Sequence, residues 1–326
     1  MKDTFRREIN YLRVSLTDRC NLRCRYCMPE KGVPLKPHSE ILRLEELLHL
    51  IKVATGLGIS KVRLTGGEPL VRRGIVPFVR VLAMMPGLDD LAMSTNGLLL
   101  PHLGRELKEA GLKRINISLD TLRPDRYREI TRGGDFRVAW KGVETALELE
   151  FAPVKLNMVV MRGINDDEIF DFVDLTFRYP LHVRFIEFMP IGESEKWAGN
   201  SLVTQGEILE QLSKRYQIKP VSGVRGTGPA KYYQLAGSRG TVGFISPLSV
   251  CFCKYCNRIR LTADGRLRPC LHSRWEVNLR DLLRSGASDE ELADRYREAI
   301  RQKPERHHLA EEGWNGRSRF MHQIGG

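Results

Sequence analysis

Thr17-Asp18-Arg19-Cys20-Asn21-Leu22-Arg23-Cys24-Arg25-Tyr26-Cys27-Met28-Pro29 sets three cysteines at the spacing Cys20-x-x-x-Cys24-x-x-Cys27. Three thiolates can hold three irons of a four-iron cubane and leave the fourth iron without a protein ligand, and an open cluster position is a place for chemistry. Structural zinc wants a closed set of four ligands; no neighbour supplies a fourth here, and His38 lies well downstream. Disulfides suit short secreted chains, whereas this one has 326 residues and an odd total of seven cysteines. The triplet therefore reads as the iron–sulfur centre of a catalyst.

The run before it, residues 10–16, alternates apolar and polar residues as a strand does, and strand-length apolar runs recur over the first two thirds of the chain. Strands are expected at 10–16, 61–65, 91–95, 113–119, 154–160 and 182–188, with helices such as 44–55 and 138–149 between them. Six strand–helix units imply an α/β fold with a parallel sheet, curved into an incomplete (β/α)6 barrel. Leu12, Val14 and Leu16 share one face of the first strand and Arg13 and Ser15 the other; Val62 and Leu64 oppose Arg63 and Thr65; Ile115 and Ile117 oppose Asn116 and Ser118. Helices must cover the apolar face, so the polar face lines the interior. The sixth strand is ambiguous, with Arg184 alternating into the row of Ile186 and Phe188 and Glu187 into that of Phe185 and Met189.

A cationic interior calls for an anion, because an unpaired charge removed from water costs several kcal/mol. The alternative is that Arg13, Arg63 and Lys155 pair with Asp120 or Glu68. After the second strand, Thr65-Gly66-Gly67-Glu68-Pro69-Leu70 offers two glycines that permit close backbone approach to a ligand and a carboxylate that can bind an ammonium group.

A second cysteine group, Cys253-Lys254-Tyr255-Cys256, is followed by Cys270. Ala263-Asp264-Gly265-Arg266 is a hairpin signal that would return Cys270 beside the other two. His272 could complete a zinc set here, and that reading stays open beside the cluster reading. Cys251 is spare and is expected to be a small buried hydrophobe.

At 37.3 kDa the chain can bury a substantial core. Residues 1–7 carry no apolar signal core, and no run of about 18 apolar residues occurs, so a soluble protein of the reducing cytoplasm is expected, with no membrane. The net charge of +12 favours acidic partners, and no helix-turn-helix or RNA-binding signature supports nucleic acid. The organisation expected is a barrel at 1–188, a connection at 189–203, and a smaller C-terminal α+β region at 204–326.

Taken together, Arg13-Val14-Ser15, the first triplet, Thr65 to Leu70, Ser94-Thr95-Asn96-Gly97, Ser118-Leu119-Asp120, Arg184-Phe185-Ile186-Glu187-Phe188-Met189, the second triplet and the terminal Gly325-Gly326 resemble the GTP 3′,8-cyclase family of radical S-adenosylmethionine (SAM) enzymes. The resemblance implies a radical SAM barrel with one 4Fe-4S cluster on Cys20, Cys24 and Cys27 and a second on Cys253, Cys256 and Cys270. It implies SAM contacts from Tyr26, Gly67, Ser118 and Met189, and GTP contacts from Arg13, Arg63, Ser94, Lys155, Arg258, Ile259 and Arg260. The implied reaction has a 5′-deoxyadenosyl radical abstract the C3′ hydrogen of GTP, and the carbon radical then closes on C8. The product is (8S)-3′,8-cyclo-7,8-dihydroguanosine 5′-triphosphate, the first step of molybdenum cofactor biosynthesis, with Arg13 assisting reduction of the cyclised radical.

An electron donor such as flavodoxin or ferredoxin, transfer of product to cyclic pyranopterin monophosphate synthase, and a homodimer are the implied partners. The terminal Gly-Gly, a frayed end on composition alone, is implied to enter the active site, with Arg317 and Arg319 anchoring the segment before it. The rival readings are a radical SAM peptide-modifying enzyme, which would want further cysteines and a peptide-recognition module, and a zinc-containing nucleic-acid-binding protein.

Overall fold

The alternation in Tyr11–Ser15 is realised as β1: Leu12 and Val14 are fully buried in the apolar core, while Arg13 turns to the opposite face. The computed structural model describes residues 1–189, 201–224, 226, 228–307 and 319–325. β2 (Lys61–Thr65), β3 (Asp90–Thr95), β4 (Arg114–Ser118), β5 (Val154–Val160) and β6 (His182–Glu187) follow β1 in spatial order, every neighbour parallel. The six expected strands are present within one or two residues.

Helices α1 (Leu44–Gly56), α2 (Ile75–Ala83), α3 (Leu100–Glu109), α4 (Pro124–Thr131), α5 (Phe136–Glu148) and α6 (Ile169–Arg178) make the crossovers. In α1, Leu47, Leu50, Ile51 and Ala54 fall at helical spacing and are buried in the same core as Leu12 and Val14. Glu46 caps the start of α1 by accepting from Arg43 N at 2.6 Å, and it also takes Arg284 Nε at 2.8 Å from the C-terminal region.

After α7 (Gln205–Ser213), the chain adds β7 (Ile218–Val221), β8 (Lys231–Leu235), β9 (Thr241–Ile245), β10 (Arg258–Leu261), β11 (Arg266–Arg268) and β12 (Val277–Asn278), then α8 (Leu279–Arg284) and α9 (Asp289–Arg301). These strands extend the barrel's own sheet at both edges, in the order β12-β11-β10-β1-β2-β3-β4-β5-β6-β9-β8-β7. β10 lies parallel to β1 and β9 parallel to β6. The C-terminal region thus flanks the interior from two sides. Most of the connection expected at 189–203 lies outside the described residues, and the chain rejoins the barrel through a bridge between Met161 and Leu202. No described helix is long and apolar enough to cross a membrane.

Candidate active site

The first cysteine loop leaves the C-terminal end of β1 and is held by the strand beside it. Leu16 N–H donates to Thr65 O (3.0 Å), Gly67 N–H to Thr17 O (2.7 Å) and Glu68 N–H to Arg19 O (2.8 Å). A β-carbon on Gly66 would lie 2.7 Å from Thr17 O, and one on Gly67 would lie 2.2 Å from Arg19 O. The paired glycines therefore seat the cysteine loop itself, backbone on backbone, where the sequence suggested approach to a ligand. Within the loop, Cys27 N–H donates to Cys24 O at 2.9 Å.

The second triplet sits at the other end of the same strand pair. Tyr11 is opposite Arg258 and Arg13 opposite Arg260, so Cys253 and Cys256 precede the N-terminal end of β10 while Cys20 follows the C-terminal end of β1. The Asp-Gly turn forms as expected, with Gly265 at φ 78°, and antiparallel β11 returns Cys270 to the end of β10 that carries Cys256. Four to five strand residues separate the two triplets, on the order of 15 Å at ~3.3 Å per residue. Both line one cavity of about 330 Å³.

Register builds the wall between them. Arg260, Arg13 and Arg63 are direct neighbours across β10, β1 and β2, and all three face the cavity. The expected alternative pairings do not form. Glu68 accepts from Leu70 N, Thr95 Oγ1 and Asn96 N, and Asp120 accepts from Tyr26 OH at 2.8 Å and Val159 N at 2.9 Å. Burial raises Glu68 to about 7 and Asp120 to about 6. Arg63 is 5% exposed and its Nε has no hydrogen-bond partner. Burial first, then Arg260, Arg63 and Arg258, lowers the proton affinity of Arg13.

Lys155 lies beyond the cavity wall, with Nζ 5.2 Å from the centre of the Tyr232 ring and Gly226 packed over it. Burial, then Arg184, Arg114 and Arg63, brings Lys155 down to about 6. Of the other expected residues, Tyr26, Gly67, Ser94, Ser118, Met189 and Arg258 line the cavity. Ile259 does not. It alternates to the opposite face of β10 and is fully buried in the apolar core, so any contact it makes with a ligand must come from its backbone.

Sequence reasoning left Arg184 unassigned; it is inward, opposite Asn157 on β5, and donates to Asn157 Oδ1 at 2.7 Å. The signal available was an arginine in mid-strand, obscured by Glu187 three residues later. Glu187 is also buried, but it accepts from Leu248 N and Ser249 N at 2.9 and 3.0 Å, fixing the loop that leads to the second triplet. Lys303 and His322 were missed as well, because nothing local marks them. Lys303 Nζ donates to Arg258 O and Pro269 O at 2.7 and 2.8 Å.

The chain's end returns to this cavity. Arg319 is bidentate to Asp264 (3.0 and 3.0 Å) and also meets Glu276. His322 is buried with Nδ1 3.4 Å from Cys27 O. Arg260 donates to Gly325 O at 2.6 Å and Arg13 at 3.1 Å. Gly325 has φ 70°, and a β-carbon there would lie 2.5 Å from Thr65 Oγ1. The segment is thus seated, not frayed; Arg317 and Gly326 lie outside the described residues.

Donor chemistry separates a cluster from a single ion. A tetrahedral zinc with metal–sulfur bonds of ~2.3 Å needs sulfurs ~3.8 Å apart. Neither triplet is drawn that tight: among the described residues, the one set of three Cys, His, Asp or Glu ligand atoms within 4.8 Å of one another is Cys251, Cys253 and His307. A thiolate on each of three irons suits the wider span. His272, the residue that could have completed a zinc set, is outside that group, its ring 5.0 Å from that of His307. Cys251, expected to be buried, is exposed, because the turn into Cys253 faces outward.

Burial pushes the Cys20 thiol to about 11 and Cys27 to about 12. At Cys256 burial is outweighed by Arg258 and Lys303, and the thiol drops to about 6.

Residues 14–176 match the radical SAM superfamily model, and residues 181–309 match the model for the C-terminal part of molybdenum cofactor synthesis proteins. The GTP 3′,8-cyclase of Heliobacterium modesticaldum is 56% identical, and that of Pelotomaculum thermopropionicum 55%, each alignment covering 100% of both chains. This chain belongs to the GTP 3′,8-cyclase family. As a radical SAM enzyme it uses SAM and 4Fe-4S clusters. Among solved structures, Streptococcus suis SuiB bound to S-adenosylmethionine has the same fold, with a TM-score of 0.58 at 13% identity over 86% of this chain and 64% of that one.

Proposed function

We propose that the cavity between the two triplets is where GTP is cyclised to (8S)-3′,8-cyclo-7,8-dihydroguanosine 5′-triphosphate, in the first step of molybdenum cofactor biosynthesis. The observation that carries this reading is that both three-cysteine sets line one cavity, with the Arg260, Arg13, Arg63 row between them. Cys20, Cys24 and Cys27 would hold the cluster that meets SAM, and Cys253, Cys256 and Cys270 the cluster that meets the base of GTP. When bound, the first cluster supplies the electron that breaks SAM and begins the radical chemistry.

The chain's own residues bind, orient and exclude. Tyr26, Gly67, Ser118 and Met189, all lining the cavity, would contact SAM. Arg63 and Arg184 line the cavity and offer positive charge to the triphosphate, and Lys155, buried behind them, is assigned to the same phosphate end. Arg258, Arg260, Ser94 and the backbone at Ile259 place the nucleoside. Holding two ligands in near-attack geometry replaces a bimolecular encounter, and a closed cavity keeps water from the reacting carbons. Arg13, which donates to Gly325 O, carries a proton beside the reacting centre and assists reduction of the cyclised radical.

The reading includes a barrel at 1–188, a connection at 189–203 and a cluster- and substrate-binding region at 204–326, a cytoplasmic location and a homodimer. It also includes transfer of product to cyclic pyranopterin monophosphate synthase and a flavodoxin- or ferredoxin-type donor; the +12 charge favours such acidic partners.

Anaerobically reconstituted enzyme given SAM, dithionite and each nucleoside triphosphate should convert GTP to the cyclic product and leave ATP untouched. Equal turnover of ATP would overturn the reading.

A further inference from the structure

The second triplet has a neighbour that its cluster does not use. Cys251 is exposed, two residues before Cys253, and its thiol hydrogen-bonds that of Cys253. A ring nitrogen of His307 completes a set of three donor atoms lying within 4.8 Å of one another. His307 Nε2 is 2.9 Å from Pro247 O. A carbonyl oxygen can only accept, so Nε2 carries a proton there. Metal-binding histidines commonly make such a bond, a ring N–H held on a backbone carbonyl.

The surroundings are fixed. Pro247 sits on the loop pinned by Glu187 through Leu248 N and Ser249 N. Arg7 Nη1 clamps Cys253 O at 2.9 Å and Glu305 O at 2.8 Å, tying the cysteine turn to the segment that carries His307.

We propose that Cys251, Cys253 and His307 form a site for a single thiophilic divalent cation, zinc above all, with water in the fourth position. Two thiolates and an imidazole are a zinc donor set. Bonds of ~2.3 Å to sulfur and ~2.0 Å to nitrogen put the donors ~3.3–3.8 Å apart, a contraction of about 1 Å that rotation of an exposed cysteine can supply. On binding, each thiol releases its proton to solvent as the metal–sulfur bond replaces S–H. Cys253 is shared, so zinc here and a cluster on Cys253, Cys256 and Cys270 exclude each other. That exclusion rests on the cluster assignment proposed above; the zinc site itself does not.

Cobalt added anaerobically to the metal-free, reduced full-length chain reports the site by its cysteine-to-cobalt absorption. Wild type and Cys256→Ala should show a tight site that Cys251→Ser weakens by about tenfold or more. Superimposable titrations of wild type and Cys251→Ser would overturn the proposal. Reconstitution with iron and sulfide in the presence of equimolar zinc should leave wild type with about four irons, against about eight in its absence, while Cys251→Ser keeps about eight. Equal iron in both proteins under zinc would remove the exclusion. Cobalt binding needs no turnover, so these failures are distinct from failure of the cyclase reading, which is absence of cyclic product from zinc-free enzyme.

Discussion

Lys155 shows how much a single buried residue can carry. Held at about 6 by burial and by Arg184, Arg114 and Arg63, it is neutral at pH 8 in the ligand-free chain. A triphosphate brought beside it favours the charged form and returns its pKa toward the ordinary lysine range. Binding at pH 8 should therefore take up about one proton, and affinity should fall by up to about tenfold per pH unit between pH 6 and the raised pKa of the complex. Isothermal titration with GTP in two buffers of different ionisation heat measures that uptake. Lys155→Met should abolish it, and equal uptake in both proteins would rule the residue out. Lys155 was legible as an interior cation from its alternation in the fifth strand. Its depressed proton affinity was not, because that comes from burial first and then from neighbours on β6, β4 and β2.

At the scale of elements, the C-terminal segment depends on an anchor far from its tip. Arg319 is 9% exposed at its side chain and is held by Asp264 in the β10–β11 turn and Glu276 beside β12. Arg319→Ala removes this anchor, while Asp264 keeps Lys36 and Glu276 keeps Arg268, so the cost falls below the about 3–5 kcal/mol of breaking a buried pair outright. Much of this should appear as release of the segment, since only the tail crosses that contact. GTP cyclisation should drop at least tenfold while iron content and SAM binding stay near wild type. Two bulky residues appended after Gly326 should have the same signature, because the segment they would extend is already tight at Gly325, where a β-carbon would lie 2.5 Å from Thr65 Oγ1. Normal product formation in both variants would show that the tail guides nothing. The Gly-Gly ending and Arg319 were visible in the sequence; their partners, from 43 to 312 residues away in the chain, were not.

The whole molecule places two chemically different thiol sets at opposite ends of one strand pair, and the two should be separable. Cys24→Ala should abolish SAM cleavage. Cys256→Ala should leave some uncoupled 5′-deoxyadenosine formation while GTP cyclisation fails, because only the first set meets SAM. Product chromatography with iron analysis tests both at once: wild type should carry about eight irons, each variant about four. Normal cyclisation by Cys256→Ala would make the second set structural.

The chain by itself determined the six parallel strands, their two unlike faces, the two cysteine sets and the hairpin that completes the second. Each of these is a local pattern, a period of two or a fixed spacing, which short-range geometry converts directly into structure. Only the tertiary structure decided that β9 and β10 dock on opposite edges of the barrel sheet, so that Arg260 stands beside Arg13 across 247 residues of chain. The same packing spends the two glycines of Thr65-Gly66-Gly67 on the cysteine loop, points Ile259 into the core, leaves Cys251 exposed, and brings His307 rather than His272 to the thiols. Such outcomes depend on which surfaces meet, and register between strands distant in sequence is set by the burial of whole faces, which no local spacing records.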